Sequence, residues 1–132
     1  MKKTYSLNKN SDFRRIYAKG KNGAFKNFVI YFRRTKNDFN HLGITASKKI
    51  GNAVQRNRAR RLIKESYRIL EDRLDTGYEI VFVARVRTPQ SRLQYVKKDM
   101  ETAFRKFNML KKSRTVLNPE ENNEHIEKER EL

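Results

Sequence analysis

Apolar and polar positions repeat along this chain with two different periods. In AFKNFVIYFRR, Phe28, Ile30 and Phe32 alternate with Val29, Tyr31 and Arg33, and in HLGITASKK, Leu42, Ile44 and Ala46 alternate with Gly43, Thr45 and Ser47. A period of two predicts strands with unlike faces, joined here by the loop TKNDFNH. YEIVFVARV is apolar almost throughout, the pattern of a central strand covered on both faces. Elsewhere the period lengthens. KNSDFRRIYAKG carries Phe13, Ile16 and Tyr17, with Asn10 or Ser11 as an N-cap and Gly20 as a stop, and predicts a short first helix. Asn52 and Gln55 have capping-box spacing, and Ala59, Leu62, Ile63, Ser66, Ile69, Leu70 and Leu74 follow at helical intervals. Leu93, Val96, Met100, Ala103, Phe104, Phe107 and Leu110 predict a third helix ending near Lys112. The order is helix, two or three strands, helix, strand, helix: a single α+β domain.

Charge changes the picture. The 132 residues hold 32 Lys plus Arg against 15 Asp plus Glu, a formal charge of +17. Such self-repulsion costs stability unless a polyanion offsets it, and nucleic acid is the leading partner. No stretch is apolar for long enough to span a bilayer, and MKKTYSLNKN lacks the apolar region of a signal peptide. A cytoplasmic, soluble protein is expected. The absence of cysteine excludes disulfides, thiolate metal sites and a cysteine nucleophile. Residues 113–132 contain three cations and six acids, a net of −3, which leaves +20 for residues 1–112. With Pro119 and few apolar residues, 113–132 reads as an acidic, disordered tail on a basic body domain, 1–112.

The second helix concentrates the charge. KKIGNAVQRNRARRLIKESYR, residues 48–68, holds eight cationic residues and a single acid, Glu65. At 100° per residue, Asn57, Arg60, Arg61, Lys64 and Arg68 share an arc of about 100° opposite the apolar set. A charge run is ordinarily a solvated face. Solvated helices, however, interleave acids at i+4, whereas like-charged neighbours such as Arg60 and Lys64 cost a few tenths of a kcal/mol per pair. An external anion would offset that cost, and the arginines at 56, 58, 60 and 61 suit phosphate because the guanidinium fork binds it bidentately.

GITASKKIGNAVQRNRARRLIKESYR resembles the signature of the bacterial ribonuclease P protein subunit, with Arg56, Asn57 and Arg58 as its Arg-Asn-Arg core. The resemblance extends to Asp12, Phe13 and Tyr17, to FVIY, to Gly43–Lys49, to the strand before Ala84 and Arg85, and to the last helix. Only the acidic tail lies outside it. The family fold it implies is an α-β-β-(β)-α-β-α sandwich like the second domain of ribosomal protein S5. Its sheet is mostly antiparallel, and its βαβ crossover is left-handed, opposite to the general rule.

The function implied is assistance to a catalytic RNA that removes the 5′ leader of precursor tRNA. Arg56, Asn57, Arg58, Arg60, Arg61, Lys64 and Arg68 would meet the catalytic RNA. Phe13, Tyr17, Val29, Tyr31, Thr45, Ser47 and, by strand parity, Lys49 would line a cleft for the unpaired leader, where aromatic rings stack on bases without reading sequence. Residues alone would more often put Phe13 and Tyr17 in a core. Magnesium would be held mainly by the RNA, with no metal on the protein, no membrane and no further protein partner required.

Catalysis by the protein itself finds little support. Asp12, Asp38, Glu65, Glu71, Asp72, Asp75, Glu79, Asp99 and Glu101 show no ligand motif for metal-dependent phosphoryl transfer. Of the two histidines, His41 lies at a strand entrance and His125 in the tail.

Overall fold

The computed structural model describes residues 3–111. The predicted tail 113–132, with His125, lies outside them. The elements run β1 (Thr4–Ser6), α1 (Asn10–Lys19), β2 (Lys21–Ala24), β3 (Phe28–Arg34), β4 (Asn40–Thr45), α2 (Ala53–Leu70), β5 (Tyr78–Ala84) and α3 (Leu93–Lys106). Short 3-10 turns occupy Lys48–Ile50, Glu71–Arg73 and Thr88–Gln90. The strands form one sheet in the order β1-β4-β5-β3-β2. Antiparallel pairing joins β2 to β3 and β3 to β5, and parallel pairing joins β1 to β4 and β4 to β5.

β5 is central, as its apolar run requires, with every residue buried except half-buried Val83. On one face of the sheet, Phe28, Ile30, Phe32, Leu42, Ile80 and Phe82 pack beneath α2 and α3 with Ala59, Ile63, Tyr67, Met100 and Phe104. The opposite face carries a smaller cluster of Leu7, Ile16 and Val81, with Phe13, Tyr31 and Val83 packed against it. The result is three layers: α2 and α3, the sheet, and α1.

The capping box forms as its spacing predicts: Gln55 N–H donates to Asn52 Oδ1 at 2.9 Å and Asn52 N–H to Gln55 Oε1 at 3.1 Å. Just before it, Gly51 adopts φ 142°, a conformation closed to most side chains, and turns the chain from the 3-10 segment into α2.

Several boundaries differ from expectation: α2 ends at Leu70, so Leu74 lies beyond it, and β4 ends at Thr45, so Ala46 and Ser47 lie outside the strand. Lys9 is the residue preceding α1, without a side-chain cap, so Asn10 and Ser11 fall inside the first turn. α3 stops at Lys106 instead of near Lys112, because Asn108 adopts φ 58° and Met109 N–H returns to Phe104 O at 2.8 Å. Leu110 then bridges to Leu74, so its helical spacing reflects burial beside the helix end. β1, with no period long enough to read, pairs with β4 and is fastened by Thr4, whose Oγ1 donates to Glu71 Oε2 at 2.5 Å and lies 2.7 Å from Tyr67 Oη.

Candidate nucleic-acid interfaces

α2 buries Ala59, Ile63, Ser66, Tyr67 and Leu70, and this fixes what its other faces present. Asn57, Arg60, Arg61, Lys64 and Arg68 are exposed together on the outward side, as the helical geometry predicts. Their surroundings differ. Arg60 donates to Asn57 Oδ1 at 3.0 Å and to Ala46 O at 3.4 Å, which ties the helix to the end of β4. Arg68 pairs with Glu65 at 3.0 Å, both exposed, a contact of small energetic value. Arg61 and Lys64 have no hydrogen-bond or ion-pair partner among the described residues. They are the free cations of the stripe.

Arg56 and Arg58 stand apart from that line, each rotated by about 100° from Asn57. Arg56 is half-buried on the packed side of the helix. Arg58 Nε donates to Pro89 O at 2.6 Å and its Nη2 to Ser91 O at 3.4 Å, so this guanidinium secures the turn that leads into α3. Part of its donor set is thus spent on structure, which leaves fewer N–H groups for phosphate.

The second surface lies under α1. Register places His41, Glu79 and Arg33 in one cross-strand row, Gly43, Val81 and Tyr31 in the next, and Thr45, Val83, Val29 and Ala24 in a third. α1 covers the first two rows. Arg15 donates to Glu79 Oε2 at 2.6 Å and to Asp12 Oδ1 at 3.0 Å, and these two bonds, Glu79 first, raise the pKa of its guanidinium. Phe13 lies on Gly43 so closely that a Cβ there would come 2.6 and 2.7 Å from its ring carbons. The third row is left open: Thr45, Val83 and Val29 are half-exposed and Ala24 is exposed.

Tyr17 borders this opening with 39% of its surface exposed. It stacks edge-on against Tyr31, with centroids 4.8 Å apart, and lies 6.4 Å from Phe13. The structure therefore brings Phe13, Tyr17, Tyr31, Val29 and Thr45 together on one face of the sheet, at the open row. Ser47 and Lys49 are exposed beyond the strand, Lys49 within the 3-10 turn. Strand alternation stops at Thr45, so parity does not assign Lys49 to a face.

Stripe and cleft occupy opposite faces of the sheet but meet at its end. Thr45 belongs to the open row, and the next carbonyl, Ala46 O, accepts from Arg60. Two further features were not legible in the sequence. One is the Asp12–Arg15–Glu79–Arg33 ion cluster under α1. The other is an aromatic group of Tyr5, Phe39 and His41 at the sheet edge, with centroids 5.2 to 6.2 Å apart. Each draws on segments far apart in the chain and leaves no local pattern. Among the described residues no three His, Cys, Asp or Glu side chains gather as a metal site, and no helix is long and apolar enough to cross a membrane.

Known proteins of one family resemble this chain in sequence and fold. The family model described as Ribonuclease P matches residues 1–108. The ribonuclease P protein component of Clostridioides difficile strain 630 is 42% identical over 105 residues, 79% of this chain and 92% of the relative. That of Bacillus cereus strain 03BB102 is 36% identical over 110 residues, 83% and 96% of the two chains. The RNase P protein structure from Staphylococcus aureus superimposes with a TM-score of 0.72 at 32% identity, covering 81% of this chain and 98% of that one. The one from Thermotoga maritima gives 0.68 at 26% identity, covering 75% and 94%. The chain belongs to the ribonuclease P protein family.

Proposed function

We propose that this chain is the subunit that grips two RNAs at once during endonucleolytic removal of the 5′ leader from precursor tRNA. α2 docks on the catalytic RNA through Asn57, Arg60, Arg61, Lys64 and Arg68, with Arg56 and Arg58 flanking them. The cleft of Phe13, Tyr17, Val29, Tyr31 and Thr45 holds the unpaired leader, and Ser47 and Lys49 follow its backbone at the rim. The observation that carries this reading is the junction at β4, where the open row and the Arg60 anchor are adjacent residues. A leader in the cleft is thereby held beside the catalytic RNA.

The RNA carries the chemistry in this reading. It also holds the magnesium, and the protein supplies cations and stacking surfaces. Cations lower the repulsion between substrate and RNA, a task that magnesium otherwise performs by screening. The particle acts in the cytoplasm, and no further protein partner or membrane is required. Mixing the purified protein with a bacterial ribonuclease P RNA at magnesium too low for the RNA alone should restore leader removal. The protein alone should cleave nothing. Cleavage by RNA-free protein, or no rescue of the RNA, would refute the assignment.

A further inference from the structure

Where the β2–β3 turn meets α3, the surface opens into a groove of about 900 Å³. Lys26, Arg85, Arg87 and Lys98 line it, together with Tyr95 and a single carboxylate, Asp99. The frame is cross-linked. Asn27 N–H and Nδ2 donate to Asp99 Oδ2 at 3.0 and 2.9 Å, Thr88 Oγ1 donates to Asn27 O at 2.7 Å, and Arg85 Nη1 donates to Phe25 O at 2.8 Å. The carboxylate is thus held at the wall by uncharged donors, while four cations face one acid. Tyr95 is 53% exposed, and no other ring packs on it among the described residues. A free aromatic face among cations suits single-stranded nucleic acid, whose bases stack and whose phosphates are neutralised.

Topology indicates which strand. The open row of the cleft runs Thr45, Val83, Val29, Ala24, from β4 beside the α2 anchor across to β2. Ala24, its last member, is also a lining residue of the groove. A chain that enters next to the catalytic RNA and crosses the sheet along this row is delivered to the groove. We propose that the groove binds leader nucleotides farther from the tRNA than those in the cleft, with a base on Tyr95 and phosphates among Lys26, Arg87 and Lys98. This rests on the reading of the cleft as a leader site.

The test is holoenzyme affinity for precursor tRNAs whose leaders are shortened one nucleotide at a time. Tyr95→Ala with Lys98→Ala, both exposed and outside the core, should weaken binding of the longest leaders about tenfold. Binding of short leaders and of mature tRNA should be unchanged, and the thermal melt should match the parent. Tyr17→Ala should instead lose affinity as soon as the leader is long enough to enter the cleft. A groove variant that binds every substrate as the parent does would overturn the proposal. Equal weakening at all leader lengths would also overturn it and assign the groove to the catalytic RNA. If the groove variant shows the length-dependent loss and Tyr17→Ala shows none, the cleft reading fails and with it the proposed order of cleft before groove, although the groove itself holds leader.

Discussion

The ring of Tyr17 on α1 stands edge-on to that of Tyr31 on β3, with centroids 4.8 Å apart and planes at 76°. This contact joins helix to sheet at the margin of the open row, yet 39% of Tyr17 remains in solvent. In the proposed reading this exposed part of the ring meets the leader. Tyr17→Ala should weaken holoenzyme binding of precursor tRNA by about 1–3 kcal/mol and leave mature tRNA unaffected. Ile16→Ala, one residue earlier and fully buried, should instead cost about 2–5 kcal/mol of stability. Thermal melts beside substrate titrations distinguish the two outcomes.

Gly43 lets the ring of Phe13 approach the sheet closely. A methyl group there would meet ring carbons at 2.6 and 2.7 Å, so Gly43→Ala should drive the ring outward and narrow the cleft. Leader affinity should fall, and adding Phe13→Ala should recover the stability lost to the clash. The double-mutant cycle should therefore show coupling of at least about 0.5 kcal/mol, and additive effects would mean that the ring moves away freely.

Arg61 and Lys64 are free, whereas Arg58 is committed to Pro89 O and Ser91 O. Replacing Arg61 and Lys64 with Ala should reduce the salt dependence of catalytic-RNA binding by about one unit of log–log slope each. Asn57→Ala should leave the slope unchanged, since the lost amide is neutral, but should release Arg60 from its 3.0 Å bond and impair activity. Arg58→Ala should lower the melting temperature as well as RNA affinity. Binding isotherms across a salt series, with melts of the free protein, check all three.

Burial pushes the Tyr67 phenol up to about 12 from its ordinary 10, with a smaller contribution in the same direction from Glu71. Because the folded state holds this proton more tightly than the unfolded state, the stabilisation is complete below pH 10. It is lost progressively as pH rises from 10 toward about 12. Tyr67→Phe removes this group, so its stability should decline less steeply across that window than the parent's. The cost of the lost Thr4 contact should appear as a constant offset at lower pH. Parallel slopes in denaturant titrations would show that Tyr67 ionises as easily folded as unfolded.

Strong periods were legible. The alternation in β3, the apolar run of β5 and the capping box of α2 all lie in local sequence and appear where it predicts, whereas β4 forms but ends at Thr45, short of its alternating pattern. What the sequence conceals depends on distant partners. β1 is three residues whose strand identity comes from β4, and Arg58 reads as one more cation until Pro89 folds beside it. The aromatic spacing of Phe13 and Tyr17 by itself favours a core. The cross-strand register, which no local pattern reveals, leaves one row beside them uncovered by α1.

Thr4 has a final consequence, for the order of events during synthesis. Its hydroxyl is satisfied by Tyr67 and Glu71, and its strand pairs with Asn40–Leu42. Thr4 can be tied down only after a long stretch of chain has been made, because Tyr67 and Glu71 lie 63 and 67 residues further along. Contacts of such sequence separation form slowly. Until Tyr67 and Glu71 are translated, β1 has only β4 to pair with, and the Thr4 hydroxyl lacks both of its side-chain partners.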